Sequence, residues 1–183
     1  MADFLYSIDL SIFNFINQTI SNNIFDKFFP FITNVKNWYL VYIVLWFILF
    51  LKGGKIGKPA AIVILFLIAA SDQISSNLLK NLFQRIRPCN ALDNVNILVN
   101  CSKSFSFPSS HAVNNFAVAT FFSRLYPKLR WILLIIAALI AFSRPYVGVH
   151  YPSDIFFGAL IGSALGYFFS IITLKISKNK YEK

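Results

Sequence analysis

The chain has 183 residues, of which 57% are hydrophobic, 17% aromatic and only 13% charged. Its mean hydropathy of +0.62 lies far above that of a soluble globular domain. This composition argues against an ordinary soluble enzyme and indicates an integral membrane protein. The formal net charge of +10 would suit a nucleic-acid partner, but the sequence has no basic motif interleaved with aromatic residues of the kind that binds nucleic acid.

The N-terminal segment, residues 1–35, is predicted to lie at the membrane interface before the first span. Its apolar residues recur every three or four positions, at Leu5, Ile8, Ile12, Ile16, Ile20, Ile24 and Phe28. This spacing is typical of an amphipathic helix. Polar residues interrupt it too often for a membrane span, so we expect an interfacial helix with a break near residues 21–23.

Five apolar stretches follow, at residues 38–51, 59–79, 111–122, 131–149 and 155–174. Spanning a bilayer takes about 20 apolar residues, so the first and third stretches need their polar flanks to reach that length. The expected fold is all-α: a polytopic membrane helix bundle with about five transmembrane helices and the interfacial helix, forming a single domain over residues 1–183. A four-residue glycine repeat in the fifth stretch predicts close helix packing at Gly158, Gly162 and Gly166.

Basic residues cluster at alternate ends of the predicted spans. Ten of the seventeen lie there: Lys52, Lys55, Lys58, Arg124, Lys128, Arg130, Lys175, Lys178, Lys180 and Lys183. The positive-inside rule assigns these ends to the cytoplasm. The loop at residues 81–110 and the turn at His150 then face the periplasm or the exterior of a bacterial inner membrane. Topology and anionic headgroups therefore account for the excess charge without a nucleic-acid partner.

The only two cysteines, Cys89 and Cys101, both lie in the predicted extracytoplasmic loop. An oxidising compartment permits a disulfide there, and a disulfide in a loop of this size stabilises a protein by roughly 3 kcal/mol. Two free thiols are the alternative. A metal site is not expected, because no histidine lies at a matching spacing.

Four basic residues lie near the predicted outer ends of the spans, against the positive-inside rule: Lys80, Arg87, Lys103 and Arg144. Cations that converge there indicate an anion site. Lys80 and Arg87 are seven residues apart, so a continuing helix would place them on one face until Pro88 ended it. Taken alone, such residues are more often interfacial cations that reach toward the headgroups.

Both histidines of the chain lie in polar turns on the same predicted side. His111 follows Ser109 and Ser110 at the start of an apolar helix, where free N–H groups bind anions, a serine can cap or donate, and an imidazole can protonate a leaving group. His150 precedes Asp154 by four residues, so a helix that begins there would place the carboxylate beside the ring. Alone, each segment would be interpreted as a helix cap or a polar pair.

Together the three segments match three ordered patterns: Lys-x6-Arg-Pro at residues 80–88, Pro-Ser-x-His at 108–111 and Ser-Arg-x5-His-x3-Asp at 143–154. In these patterns the chain resembles the type 2 phosphatidic acid phosphatase (PAP2) superfamily. The second pattern often has glycine where this chain has Ser110, a small replacement that keeps the turn.

The resemblance implies a metal-independent, cofactor-free phosphatase that uses a phosphohistidine. In it, His150 attacks phosphorus, Asp154 orients His150, and His111 acts as the acid and base. The expected phosphate-binding residues are Lys80, Arg87, Ser109, Ser110 and Arg144.

The expected substrate is a lipid phosphate or diphosphate in the bilayer, with undecaprenyl diphosphate as the first choice. Lipid A 1-phosphate and phosphatidylglycerol phosphate fit the same chemistry, and a phospholipid-binding or transport protein is the non-enzymatic alternative. A soluble vanadate-dependent haloperoxidase of the same superfamily does not fit the apolar composition. The sequence leaves the oligomeric state open.

Asp72 is an ionisable residue inside the second apolar stretch, where such a group is usually functional or paired. A polar contact with Ser75, Ser76 or a neighbouring helix is favoured over a catalytic role.

Overall fold

The computed structural model describes residues 2–181. This part of the chain is helical and contains no strand, so the predicted all-α fold is confirmed. Lys183, which the charge argument used, lies outside it. The helices are α1 (Ala2–Asn14), α2 (Phe25–Thr33), α3 (Tyr39–Lys52), α4 (Gly54–Asp72), α5 (Lys80–Phe83), α6 (Pro88–Ala91), α7 (Ser110–Leu125), α8 (Arg130–Tyr146) and α9 (Pro152–Tyr181).

Four helical stretches of the described chain are long and apolar enough to cross a membrane: Val35–Lys52, Gly54–Ala91, Pro127–Tyr146 and Pro152–Asn179. The second runs from α4 through a π-helical segment, Gln73–Leu79, into α5. α7, the third predicted span, has 16 residues and is shorter than these. α7 contacts α4, α8 and α9, so its neighbours surround it.

The glycine repeat of α9 packs directly against α7, as predicted. A Cβ built on Gly162 would overlap the Val113 carbonyl oxygen, and one on Gly166 would overlap that of Ala117. Only the absence of a side chain lets the two backbones come this close. Because α7 begins at Ser110 and α9 follows the His150 turn, this packing fixes the distance between the two histidine segments.

The N-terminal segment forms two helices separated near the predicted break, since α1 and its π-helical extension end at Thr19 and α2 begins at Phe25. The predicted apolar stripe faces outward, with Leu5 61% exposed. Ile16 is the exception in this stripe, since it is buried together with Phe29 against Tyr146 and Val149. An outward apolar face suits contact with lipid.

The helix that carries Lys80 ends earlier than the sequence predicts. α5 ends at Phe83, and Gln84 adopts a left-handed conformation with φ of 48°. Arg87 therefore lies in extended chain beyond the helix, and Pro88 begins α6. The expectation that Lys80 and Arg87 share a helical face is wrong.

Loop contacts explain why the chain leaves the helix at this point. The Ser106 amide donates to the Arg85 carbonyl oxygen at 2.7 Å. This bond joins two segments of the loop that a continued helix would separate. Cys89 and Cys101 form a disulfide 12 residues apart in the same loop. The loop at residues 81–110 is thus held in place by its own contacts.

The predicted basic end of the bundle lies far from the histidines. Ser177 of α9 donates to the Lys55 carbonyl at the start of α4, which places these two helix ends together. From Lys55 to Lys80 the helix rises about 1.5 Å per residue, or roughly 40 Å. Lys80 and the site described next therefore lie at the opposite end.

Candidate active site

His150 lies in the tight turn that links α8 to α9, and its residue is only 2% exposed. Gly148, two residues earlier, has φ of 84°. A Cβ at Gly148 would also lie 2.7 Å from the Asn96 carbonyl oxygen, so the turn requires glycine on both counts. The buried residues Val147 and Val149 anchor the turn in the core.

The hydrogen bonds around His150 specify its tautomer. Arg87 Nη1 lies 3.1 Å from Nε2, and because a guanidinium has only donors, Nε2 must accept. On the other side, Nδ1 lies 3.3 Å from Asp154 Oδ2 and carries the proton that faces this carboxylate. The ring is therefore neutral, with its lone pair on Nε2.

Burial lowers the pKa of the His150 imidazole, because a charged ring would lose its hydration. The hydrogen bond that Nδ1 donates to Asp154 opposes this shift, and the Arg87 charge adds to it. The net lowering keeps the ring neutral at physiological pH. A neutral ring with an unprotonated nitrogen is the form in which histidine acts as a nucleophile.

Asp154 is fully buried, and its two carboxylate oxygens have different partners. Oδ2 accepts from the Tyr151 amide at 2.9 Å and from the Ser106 hydroxyl, besides facing His150. Oδ1 accepts from Arg85 Nη1 at 2.7 Å. These hydrogen bonds fix the rotation of the carboxylate. α9 begins at Pro152, so His150 itself lies outside the helix.

Arg87 is held by the loop at residues 81–110. Its Nε donates to the Ser104 carbonyl at 2.8 Å and its Nη2 donates to the Ser104 hydroxyl at 2.9 Å. Nη1 reaches the Val149 carbonyl and His150. These contacts hold one face of the guanidinium against the histidine turn.

His111 and Arg144 meet at the end of α2. His111 Nε2 lies 3.2 Å from the Thr33 carbonyl oxygen, and Arg144 Nη1 donates to the Thr33 hydroxyl at 2.8 Å. Thr33 itself is buried. The N-terminal segment thus supplies the acceptor for both motif side chains.

Lys80, Arg87 and Arg144 lie close enough to one another to interact electrostatically. Lys80 and Arg87 are buried, and like charges that are buried together lower stability unless an anion balances them. Asp154 and Asp72 are the carboxylates that interact with Lys80, and Asp154 already pairs with Arg85. The cluster therefore favours binding of a further anion.

Two motif atoms of the described residues are buried without a hydrogen-bond partner, Ser109 Oγ and Arg144 Nε. Ser109 occupies the N-cap position of α7 but makes no side-chain cap bond. Buried polar atoms are normally paired, so unpaired ones in a functional motif indicate a ligand-binding role. A phosphate oxygen has the acceptor chemistry that Arg144 Nε would match.

Ser110 makes a different contact. Its hydroxyl lies 3.0 Å from the Ser76 hydroxyl, which in turn donates to Asp72 Oδ1 at 3.2 Å. The Ser75 hydroxyl donates to the Asp72 carbonyl oxygen. Asp72 thus makes the predicted local polar contacts and lies one serine away from the motif.

The sequence reasoning missed four residues that touch the motif side chains: Thr33, Arg85, Ser104 and Ser106. Arg85 carried a usable signal, since it is a basic residue in the predicted extracytoplasmic loop, like Lys103. The structure places Arg85 beside Asp154, whereas Lys103 is exposed. The serines and Thr33 carried no such signal, because their roles depend on loop contacts.

No cluster of three or more His, Cys, Asp or Glu side chains that could hold a metal ion is present in the described part of the chain.

A helical membrane bundle with a buried neutral histidine, an orienting carboxylate and converging cations defines a membrane-embedded phosphatase. The chain belongs to the PAP2 superfamily, whose family pattern matches residues 61–178. The match includes the three motifs, and the relatives described next are themselves lipid phosphatases. The protein is accordingly a membrane lipid phosphatase.

The chain is similar to a lipid A 4'-phosphatase of Bacteroides thetaiotaomicron, with 33% identity over 97% of this chain and 82% of that protein. It is 35% identical to an undecaprenyl-diphosphatase of Sulfolobus acidocaldarius over 66% of this chain and 56% of that protein. Among solved structures, it resembles LpxE of Aquifex aeolicus with a TM-score of 0.71 and 32% identity, covering 92% of this chain and 95% of that one.

Proposed function

We propose that this protein removes a phosphate from lipid A through a phosphohistidine formed on His150. The observation that carries the mechanism is the tautomer of His150, whose Nε2 lone pair faces Arg87 while Nδ1 faces Asp154. The substrate assignment rests on similarity to lipid A 4'-phosphatases over most of the chain. The undecaprenyl-diphosphatase relative matches a shorter part.

In the first step, His150 Nε2 attacks phosphorus in line, and the new N–P bond replaces the bond from phosphorus to the lipid oxygen. Arg87, Arg144 and Lys80 stabilise the charge on the equatorial oxygens. The anionic substrate favours the imidazolium form of His111, which gives its Nε2 proton to the departing lipid oxygen and becomes neutral; before substrate binds, Nε2 faces the Thr33 carbonyl. Asp154 stabilises the imidazolium character that develops on His150.

In the second step, water attacks phosphorus, His111 accepts a water proton and the N–P bond breaks. Inorganic phosphate leaves, and His150 returns to its neutral form. We propose that no metal takes part, because the cations of Lys80, Arg87 and Arg144 supply the charge stabilisation that Mg²⁺ gives other phosphoryl-transfer enzymes.

Undecaprenyl diphosphate, the first choice from the sequence alone, is the second candidate substrate here. The Sulfolobus acidocaldarius relative supports it. The first step, attack by His150, would be the same, with a lipid phosphate monoester as the leaving group. Both lipids have a phosphate at the membrane surface and an apolar anchor. The cation cluster alone does not distinguish them.

We propose that the site faces the periplasm from a bacterial inner membrane, since the basic helix ends lie at the opposite end of the bundle. Cysteines placed at Lys103 and Lys55 would test this in sealed spheroplasts. Labelling of the Lys55 position alone by an impermeant thiol reagent would contradict the orientation.

A phosphate-release panel tests the substrate assignment. The purified protein is given lipid A, undecaprenyl diphosphate, phosphatidylglycerol phosphate and phosphatidic acid in detergent micelles, with EDTA and vanadate controls. We expect lipid A to be hydrolysed at least tenfold faster than the others, vanadate to inhibit and EDTA to have no effect. Faster release from another lipid would overturn the lipid A assignment, and EDTA inhibition would overturn the metal-free mechanism.

A further inference from the structure

Arg85 joins two carboxylates from opposite ends of the chain. Its Nη2 lies 2.6 Å from Asp9 Oδ2 of α1, and its Nη1 lies 2.7 Å from Asp154 Oδ1. The guanidinium also lies over the Tyr151 ring, 3.9 Å from its centroid. With one nitrogen on each acid and the ring below, Arg85 is fixed in a single orientation.

Asp9 also binds the beginning of α9. Its Oδ1 accepts from the Ser153 amide at 2.8 Å. α9 begins at Pro152, which has no N–H, so the Ser153 amide is the first free donor of that helix. Asp9 thus supplies, from α1, the carboxylate that usually comes from a helix's own N-cap residue.

These contacts determine where the Asp154 carboxylate lies relative to His150. Oδ2 faces the imidazole, while Oδ1 is held by Arg85. Loss of the Arg85 contact would leave Oδ1 of a buried carboxylate without its strongest partner, and the group could rotate away from Nδ1. Loss of Asp9 would leave Arg85 Nη2 without this carboxylate. It would also release the Ser153 amide at the start of α9, next to Asp154.

We propose that Asp9 and Arg85 are positioning residues for the His150–Asp154 pair, so that α1 completes the catalytic geometry. This inference rests on the proposed function, in which His150 is the nucleophile. Asp9 lies outside residues 61–178, the part that matches the superfamily. The N-terminal segment is therefore part of the catalytic apparatus as well as a membrane-facing element.

The test compares steady-state kinetics of Asp9→Asn and Arg85→Gln on the lipid that the wild-type protein hydrolyses fastest. We expect kcat to fall about tenfold for Asp9→Asn and about 100-fold for Arg85→Gln, with KM within twofold, because phosphate contacts are untouched. The double variant should lose less kcat than the product of the two single losses, since the two residues share one guanidinium contact, while Asp9 also binds the start of α9. Unchanged kcat in both single variants would overturn the proposal.

Asp26→Asn is the matched control. Asp26 lies in the same N-terminal segment and accepts from the Tyr146 hydroxyl at 2.6 Å and the Ser21 hydroxyl at 3.1 Å, without contacting the His150–Asp154 pair. We expect this variant to lose thermal stability but keep kcat within twofold of wild type. Equal losses of kcat in Asp26→Asn and Asp9→Asn would show general loosening and overturn the positioning role.

Arg85→Lys keeps the proposal testable if Arg85→Gln does not fold. A lysine can reach one acid but cannot bridge both, so we expect a kcat below that of the wild type. A wild-type kcat would overturn the proposal. Wild type and His150→Ala are measured alongside. An inactive wild type or an active His150→Ala would refute the proposed function itself, whereas wild-type kinetics in the Asp9 and Arg85 variants would refute only the positioning role.

Discussion

His150 shows how two neighbours can prepare one side chain for chemistry. Arg87 can only donate, and Asp154 as a carboxylate can only accept, so together they allow a single neutral tautomer. Burial disfavours the charged ring and acts in the same direction. The tautomer that the proposed mechanism needs is thus set by the resting structure, and Arg87 Nη1 has to leave Nε2 before that nitrogen can attack phosphorus.

The lowered pKa of His150 predicts that acid destabilises the protein. Above pH 6.5 the ring is neutral in both states, but below it the unfolded chain takes up a proton that the folded state resists. From pH 7.5 to 5.5 this one group should lower stability by about 1.4 kcal/mol. Denaturation of the detergent-solubilised protein measures the slope, and His150→Asn should show a smaller one. Equal slopes would contradict a lowered pKa.

The sequence predicted the site residues whose chemistry is distinctive, but it missed those that depend on loop geometry. His111, His150 and Arg144 lie in motifs that would each be interpreted as a helix cap or a polar pair when taken alone. Together, the motifs indicate a site. Ser106 and Thr33 resemble any buried serine or threonine, and only the loop pairing and the end of α2 bring them to the site. Arg85 was within reach of the charge argument that selected Arg87.

At the scale of helices, the contact between α7 and α9 determines the site. The helix N-terminus with Ser109 and His111 and the turn with His150 are held together by a backbone approach that glycine permits. The Ser109 amide also donates to the Asp154 carbonyl at 3.1 Å, which ties the two helix starts directly. A small separation of these helices would move His111, the proposed acid, away from His150, the proposed nucleophile.

Gly162→Ala tests this dependence. The added methyl would overlap the Val113 carbonyl oxygen, which is rigid backbone, so we expect a loss of about 1–3 kcal/mol in stability and a lower kcat. Thermal denaturation and phosphate release measure both. Leu160→Ala is the control, because Leu160 lies on the same helix and is 53% exposed. An active, fully stable Gly162→Ala would show that the close contact is not required.

Helix positions were more predictable than helix ends. Apolar length located the spans, and the glycine repeat predicted a close helix contact of α9, since both follow from local composition; the sequence did not identify α7 as the partner helix. The early end of α5 was missed because a loop hydrogen bond between Ser106 and Arg85 determines it, and no local signal at Gln84 marks a left-handed residue. Long-range contacts overrode the expectation based on Pro88.

The whole molecule separates two functions along its length. One end collects basic turns, and the other end collects three clustered cations, two histidines and contacts from the N-terminal segment. This arrangement suits a lipid whose headgroup reaches the site while its chains stay in the bilayer. The N-terminal segment contributes Thr33 to the site and Asp9 beside it, from outside the part that matches the superfamily.

The most direct test of the account is to trap the phosphorylated enzyme. The wild-type protein is mixed with lipid A carrying a radioactive phosphate, quenched within milliseconds in alkaline detergent and digested for mass spectrometry. We predict a base-stable, acid-labile phosphate on His150 that forms before inorganic phosphate appears, and none in a membrane-inserted His150→Ala protein. A phosphate on another residue, or full turnover by His150→Ala, would contradict the account.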